Sequence, residues 1–142
     1  VTAVAPAPTF PDGEFAIPEE FGRAVRSTTG GTWDAGAPPP EILANVATLA
    51  ASGLSIEGLL AAVGASVADG PMLGECVIVL HHRLRYGLRY RVARRFVSLE
   101  RKRSARLGAM DVFVFVATLV EPDGTAAAEV TYTWILPRSA SA

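Results

Sequence analysis

The 142-residue sequence predicts an α+β fold in which an antiparallel sheet wraps around one central helix. Three observations carry that expectation. Apolar residues recur at helical spacing in the first half and alternate with period two through most of the second. The apolar strand-like runs are joined by short turn-forming stretches, which suits antiparallel neighbours. Half of the residues are hydrophobic, enough for one core at this length and too few for two ordinary domains.

Residues 1–13, with Pro6, Pro8, Pro11 and Gly13, are expected to form an extended N-terminal segment, loose or laid over the surface. A single domain over 14–138 and a tail over 139–142 follow. Phe15–Ile17 suits a short strand. Pro18-Glu19-Glu20 reads as the first turn of a helix, proline early and acids beside the positive end of the dipole, running to about Arg26. Ser27 to Pro40 has loop composition. Pro38-Pro39-Pro40 then opens the main helix, about Glu41 to Ala51, in which Ile42, Leu43, Val46, Leu49 and Ala50 share a face that needs a sheet to pack on. Gly53 ends it, and Leu54, Leu59, Leu60 and Val63 predict a shorter helix closing at Gly64.

Beyond Gly64 the period falls to two. Cys76, Ile78, Leu80, His82 and Leu84 take one face of a strand, and Val77, Val79, His81, Arg83 and Arg85 the other. Gly87 is expected to turn this strand into the next, Arg89 to Leu99. Met110 to Val120 is apolar on both faces, as a central strand is. Glu121-Pro122-Asp123-Gly124 reads as a turn, and the last strand points Ala128, Val130, Tyr132, Trp134 and Leu136 inward.

The formal net charge of −1 conceals a basic strip, because ten of the thirteen Lys and Arg lie between Arg83 and Arg106 with Glu100 as the single acid. Such a strip concentrates anions. If Gly87 centres a hairpin, Arg85 faces Arg89 and Arg83 faces Arg91, an opposition of like charges that an anion must offset. The alternative is a solvated edge that discourages strand pairing. Nucleic acid is disfavoured, since the rest of the chain is acidic and no RNA-binding motif accompanies Tyr86, Tyr90 and Phe96. Cys76 has no cysteine to pair with, and with His81 and His82 it gives no metal-ligand spacing, so no metal is expected. Phosphate-loop and nucleophile-elbow patterns are absent. With no leader-like start and no uninterrupted apolar run, a cytoplasmic protein without a membrane span is expected.

Three stretches resemble the MaoC-like dehydratase/hydratase family, in its fatty-acid-synthase-type dehydratase branch. Ala37-Pro38-Pro39-Pro40 is similar to the Ala-Pro-Pro that leads into that family's central helix. His82-Arg83-Leu84-Arg85-Tyr86-Gly87 is similar to its His-Arg-Pro-Leu-Arg-x-Gly hairpin without the proline. Glu100-Arg101-Lys102-Arg103, Leu107-Gly108-Ala109-Met110-Asp111-Val112 and Tyr132-Thr133-Trp134 resemble its closing strands. The resemblance implies a hotdog fold and a homodimer or a heterodimer with another hotdog chain, the two sheets joined edge to edge. It also implies an acyl thioester carried on coenzyme A or on the phosphopantetheine of an acyl carrier protein, with no tightly bound cofactor. The implied activity is that of an enoyl-thioester hydratase or 3-hydroxyacyl-thioester dehydratase.

The sequence departs from that family at one place. The catalytic branch carries an Asp, followed after four residues by His, before the central helix; this chain has no His before His81, and Asp34 is the acid of the corresponding loop. Hydration needs a base for water, an acid for the α-proton and donors for the enolate oxygen. His82 and Asp34 are the catalytic candidates if the loop folds over the strand; otherwise Asp34 is a loop cap and His82 a core histidine. Trp33, His81, Arg83, Arg85, Tyr86, Arg89 and Arg91 are the candidates for thioester binding. Two further readings stand beside a hydro-lyase. One is a non-catalytic, tunnel-forming subunit that pairs with a separate catalytic hotdog chain. The other is a hotdog thioesterase, for which Glu41 is the one acid at the main helix.

Overall fold

A computed structural model describes residues 6–138 and shows the expected antiparallel sheet with a helix packed on it. The elements run β1 (Gly13–Ala16), α1 (Glu19–Thr28), α2 (Leu43–Ala50), α3 (Ile56–Ala61), a 3₁₀ turn at Val67–Asp69, β2 (Met72–Leu80), β3 (Arg89–Ser104), β4 (Gly108–Val120) and β5 (Ala126–Pro137). The five strands lie in the order β1-β3-β4-β5-β2, every neighbour antiparallel. Among the described residues no helix is long and apolar enough to cross a membrane, and no cluster of His, Cys, Asp and Glu is placed to hold a metal ion. Residues 1–5 and the expected tail over 139–142 lie outside the described residues.

β4 occupies the centre of the sheet, as its apolar character on both faces predicts. Its inward residues Phe113 and Phe115 stack on each other, and Phe115 stacks on Tyr132 of β5 at 4.9 Å between ring centroids. The N-terminal segment contributes to this core. Residues 6–12 form no helix or strand, yet Phe10 is buried 6.4 and 6.3 Å from the rings of Phe113 and Phe115, and Arg94 donates to Pro11 O.

α2 packs on the sheet by a different stripe from the one its large residues suggest. Leu43, Ala44, Ala47 and Thr48 are buried, Val46 and Leu49 are only half-buried, and Ile42 is 48% exposed. Small side chains bring the helix axis close to the sheet, so the face rich in alanine wins the inner position over the bulkier one. β1 comes equally close to the end of this helix. A Cβ on Gly13 would lie 1.8 Å from Ser52 O, which only glycine avoids, and Ser52 exchanges bonds with Glu14 in both directions.

The largest difference from the sequence reading lies between β2 and β3. No hairpin joins them: β2 ends at Leu80 and pairs with β5 at one edge, while β3 pairs with β1 and β4. Residues His81 to Leu88 are a crossover that traverses the end of the sheet. It begins where His81 N and His82 N both donate to Ala127 O, and it is held by Arg85 N to Tyr90 Oη at 2.9 Å and Gly87 N to Ile17 O at 3.0 Å. Leu84, buried at its middle, continues the period-two pattern in the sequence without being in a strand.

At the opposite end β3 and β4 run past the other strands to a tight tip. Ser104 Oγ accepts from Arg106 N and Leu107 N, and Gly108 takes φ +69° to close the turn. Below the tip, buried Asp111 accepts from Arg101 Nε and Arg138 Nε, and Arg138 also donates to the carbonyls of Val63 and Gly64 at the end of α3. Burial pushes the Asp111 carboxyl up, and the two guanidinium groups outweigh it, holding the carboxyl below its ordinary value. A carboxyl depressed in the folded state adds stability above its unfolded pKa of about 3.9, and that stability is lost as pH falls through the lower folded value. Asp111→Asn is expected to cost about 3 kcal/mol at neutral pH, because it leaves the largely covered Arg138 guanidinium without its charged partner. Urea denaturation of both proteins checks this, with the difference shrinking below about pH 4.

Candidate functional site

The loop that precedes α2 and the crossover after β2 meet in a groove of about 380 Å³, lined by Gly36 to Pro39 on one side and Arg83 to Tyr86 on the other. An aromatic contact braces it. Trp33 lies 5.7 Å from Tyr86 between ring centroids, and the Arg23 guanidinium covers the Trp33 ring at 4.8 Å. Gly22 of α1 makes the space: a Cβ there would lie 1.7 Å from Tyr86 Oη. That hydroxyl is buried without a hydrogen-bond partner among the described residues, and burial raises the phenol pKa, with Arg26 lowering and Glu19 raising it further.

Trp33, Arg83, Arg85 and Tyr86, four of the expected binding residues, therefore gather at one groove and its wall. Arg89 and Arg91 sit in a neighbouring cleft of about 430 Å³ with Glu14, Val120, Glu121 and Pro122. His81 faces Glu129 at 3.5 Å. The two catalytic candidates are not brought together. Asp34 is exposed and accepts from Gly36 N at 3.0 Å, a local turn contact, while His82 stands half-exposed on the crossover with Nδ1 3.9 Å from Glu121. His82 is thus neither on the inner face of a strand nor in the core, because the strand that would have turned it inward stops two residues earlier.

The opposed arginine pairs disappear with the hairpin. Arg91 sits across from Glu14 of β1 and Arg89 from Ala16, and the strip finds counter-ions in its own chain. Arg85 lies 3.5 Å from Glu121, Arg89 3.6 Å from Glu14 and Arg91 2.9 Å from Asp12. Arg94 spends its donors on the carbonyls of Pro11, Ala51 and Ser52, and burial lowers its pKa against the pull of Asp12. With Arg101 on Asp111, half of the strip is internally satisfied. Arg83, Arg95, Lys102, Arg103 and Arg106 have no ion pair among the described residues.

Glu121 is the residue that the sequence reading passed over as part of a turn. It is 8% exposed and is faced by both His82 and Arg85. Its only signal in the sequence is an acid closing an apolar central strand, where burial of the neighbours carries it inside. Asn45 was hidden in the same way within the apolar α2. Its Oδ1 accepts from the buried Tyr132 hydroxyl at 2.6 Å, and that hydroxyl lies 2.5 Å from Thr48 Oγ1.

No family model matches the sequence, and no curated protein matches it by sequence. Solved structures do match in three dimensions. The ChsH1-ChsH2 complex from Mycobacterium tuberculosis superposes with a TM-score of 0.67 at 12% identity, over 92% of this chain and 85% of that one. A MaoC-like dehydratase gives 0.64 at 15% identity over 91% of this chain and 40% of its own. C-terminally truncated HadBC, a 3R-hydroxyacyl-ACP dehydratase complex from the same mycobacterium, gives 0.61 at 14% identity over 89% and 96%. The chain has the hotdog fold of the MaoC-like dehydratases.

In this hotdog chain the groove lies beside the lead-in to the central helix, and the crossover from β2 to β3 forms its other wall. What holds that wall is apolar packing of Leu84 and Tyr86, with the Tyr86 hydroxyl adding a desolvation cost and no bond. Tyr86→Phe is therefore expected to leave the melting temperature unchanged or raise it by a few degrees, whereas removing a satisfied buried hydroxyl lowers it. Calorimetry of the variant checks this.

Proposed function

We propose that this chain is the acyl-thioester-binding member of a hydratase/dehydratase assembled from two hotdog chains, with the partner supplying the acid and base. One observation carries the reading: the groove beside the central helix has binding groups and no acid/base pair, Asp34 being tied to its own turn and His82 lying outside the groove lining. The groove offers the Arg83 guanidinium, which has no ion pair among the described residues, for a phosphate of coenzyme A or phosphopantetheine. Its apolar walls at Pro38, Pro39, Leu84 and Tyr86 suit the pantetheine arm. Arg85, shared with Glu121, adds a second cation at the rim.

The partner's place is supported by β2. This edge strand of nine residues carries a single charge, Glu75, has no proline, and leaves Val77 and Val79 43% and 46% exposed. Edges of that kind invite pairing unless they are covered. Both ChsH1-ChsH2 and HadBC are named as complexes. In the reaction proposed, water adds its oxygen to C3 of a 2-enoyl thioester and a proton is delivered to C2; dehydration is the reverse. This chain orients the thioester and excludes water from its arm, while the partner moves the protons.

A second reading is favoured by the 3.9 Å approach of His82 to the buried Glu121 carboxylate, which would make an acid/base couple within this chain. Thioester hydrolysis has the least support, because α2 carries no acid and Glu41 precedes it. Enoyl-thioester hydration measured on the chain alone and with its co-expressed partner separates these readings. Turnover is expected only in the complex. Arg83→Ser is expected to weaken coenzyme A thioester binding about tenfold, a loss of about 1.4 kcal/mol that diminishes as salt is raised. Val77→Lys with Val79→Lys is expected to abolish the complex at unchanged melting temperature. Turnover by the chain alone that disappears in His82→Ala would establish the second reading instead.

A further inference from the structure

The sheet has a second face, opposite the one on which α2 packs. Side chains alternate along a strand, so beside the buried Phe113, Phe115 and Tyr132 the two inner strands turn Val112, Val114, Val116, Thr131, Thr133 and Ile135 the other way. All six are half-buried, yet neither the three valines nor Ile135 belong to the core or pack against it. An antiparallel sheet with water on that side carries polar residues there, whereas this one carries valine along its central strand. Charge is kept to the ends and flanks of the face. Glu129 at one end faces His81 at 3.5 Å. On β3, Arg95 pairs with Val116, Ser98 with Val114 and Glu100 with Val112. Arg95 and Glu100 are exposed, and neither has an ion pair among the described residues. At about 3.3 Å per residue the β4 positions they face lie about 13 Å apart, too far for the two to meet within one chain.

Opposite charges one row above and one row below a shared apolar centre make this face complementary to itself. We propose that a second copy of this chain docks on it, the two sheets lying face to face about a two-fold axis that crosses the strands at the row of Ser98, Val114 and Thr133. At the spacing of about 10 Å between packed sheets, that axis sets Val114 on Val114, Val112 on Val116, and Arg95 of each copy against Glu100 of the other. A face built for an unrelated partner needs no such match between its own halves. The four strands β3-β4-β5-β2 give a surface about 19 Å by 27 Å, so two copies cover about 1,000 Å², the lower bound of a specific interface. The thioester groove contributes none of these residues, and pairing at the β2 edge uses main-chain groups in the plane of the sheet. The proposal therefore stands whether or not the chain works in a hydratase.

Light scattering of the intact chain over a dilution series tests the assignment. The wild type is expected to associate, and Val114→Lys, which sets two like charges against each other at the axis, is expected to halve the limiting mass while melting remains cooperative. Arg95→Glu and Glu100→Arg lie at exposed positions, and each opposes like charges across the axis at both symmetric places. Each is expected to weaken association about tenfold. The two substitutions together restore opposite charges and are expected to return the wild-type dissociation constant. Net charge alone does not give this pattern, because the two single changes move it in opposite directions. The proposal is overturned by a wild type that has the mass of a single chain at every concentration, by Val114→Lys that associates as the wild type does, or by a double charge exchange that associates no more tightly than the single ones.

Discussion

The Tyr132 hydroxyl projects from β5, beside the central strand, to the central helix, where it donates to Asn45 Oδ1 at 2.6 Å and shares a hydrogen bond with Thr48 Oγ1 at 2.5 Å. Burial raises its phenol pKa against the pull of the Thr48 hydrogen bond. An unsatisfied hydroxyl at that depth costs about 1–3 kcal/mol, so the helix must present these two partners at one rotation and one height. The alanine-rich face allows the approach and the polar pair selects the register. Both ends of α2 then follow. Its lead-in loop becomes a groove wall, and the turn that follows it meets β1 through Ser52 and Gly13.

Charge is arranged around that frame rather than spread over a surface. The N-terminal acids Asp12 and Glu14 take Arg91 and Arg89, Glu121 takes Arg85, and Asp111 takes Arg101 and Arg138. These pairs join segments far apart in sequence, at the edge, the crossover and the tip. Most are exposed and contribute little energy singly. Their consequence for function is subtractive: the basic strip loses half its members to the fold, and Arg83, without an ion pair among the described residues, remains as a cation in the lining of the groove beside the central helix.

Local chemistry made several elements legible in the sequence. Pro18 with Glu19 and Glu20 marked α1, Leu54, Leu59, Leu60 and Val63 closing at Gly64 marked α3, and the apolar character of both faces of β4 placed it at the centre of the sheet. Strand order was not legible, because Gly87 and the alternation through His82 and Leu84 look the same in a hairpin as in a crossover. The difference is made by β2 pairing with β5 some fifty residues later and by the bond from Arg85 N to Tyr90 Oη. That error carried the expected site with it, turning His82 inward and opposing the arginines. Glu121 escaped notice because burial of a turn acid depends on a crossover passing over it. The α2 stripe was misjudged since periodicity weighs the size of Val46 and Leu49, while close packing on a sheet favours Ala44 and Ala47.

A double-mutant cycle between Thr48→Val and Tyr132→Phe tests most directly whether this contact sets the position of the helix. Each substitution removes one hydroxyl at nearly constant volume, and urea denaturation of the four proteins gives the coupling. A coupling of about 1–2 kcal/mol, with amide protection lost first in α2 of the single variants, is the expected result. Effects that add within about 0.3 kcal/mol and leave α2 protection intact would contradict the account.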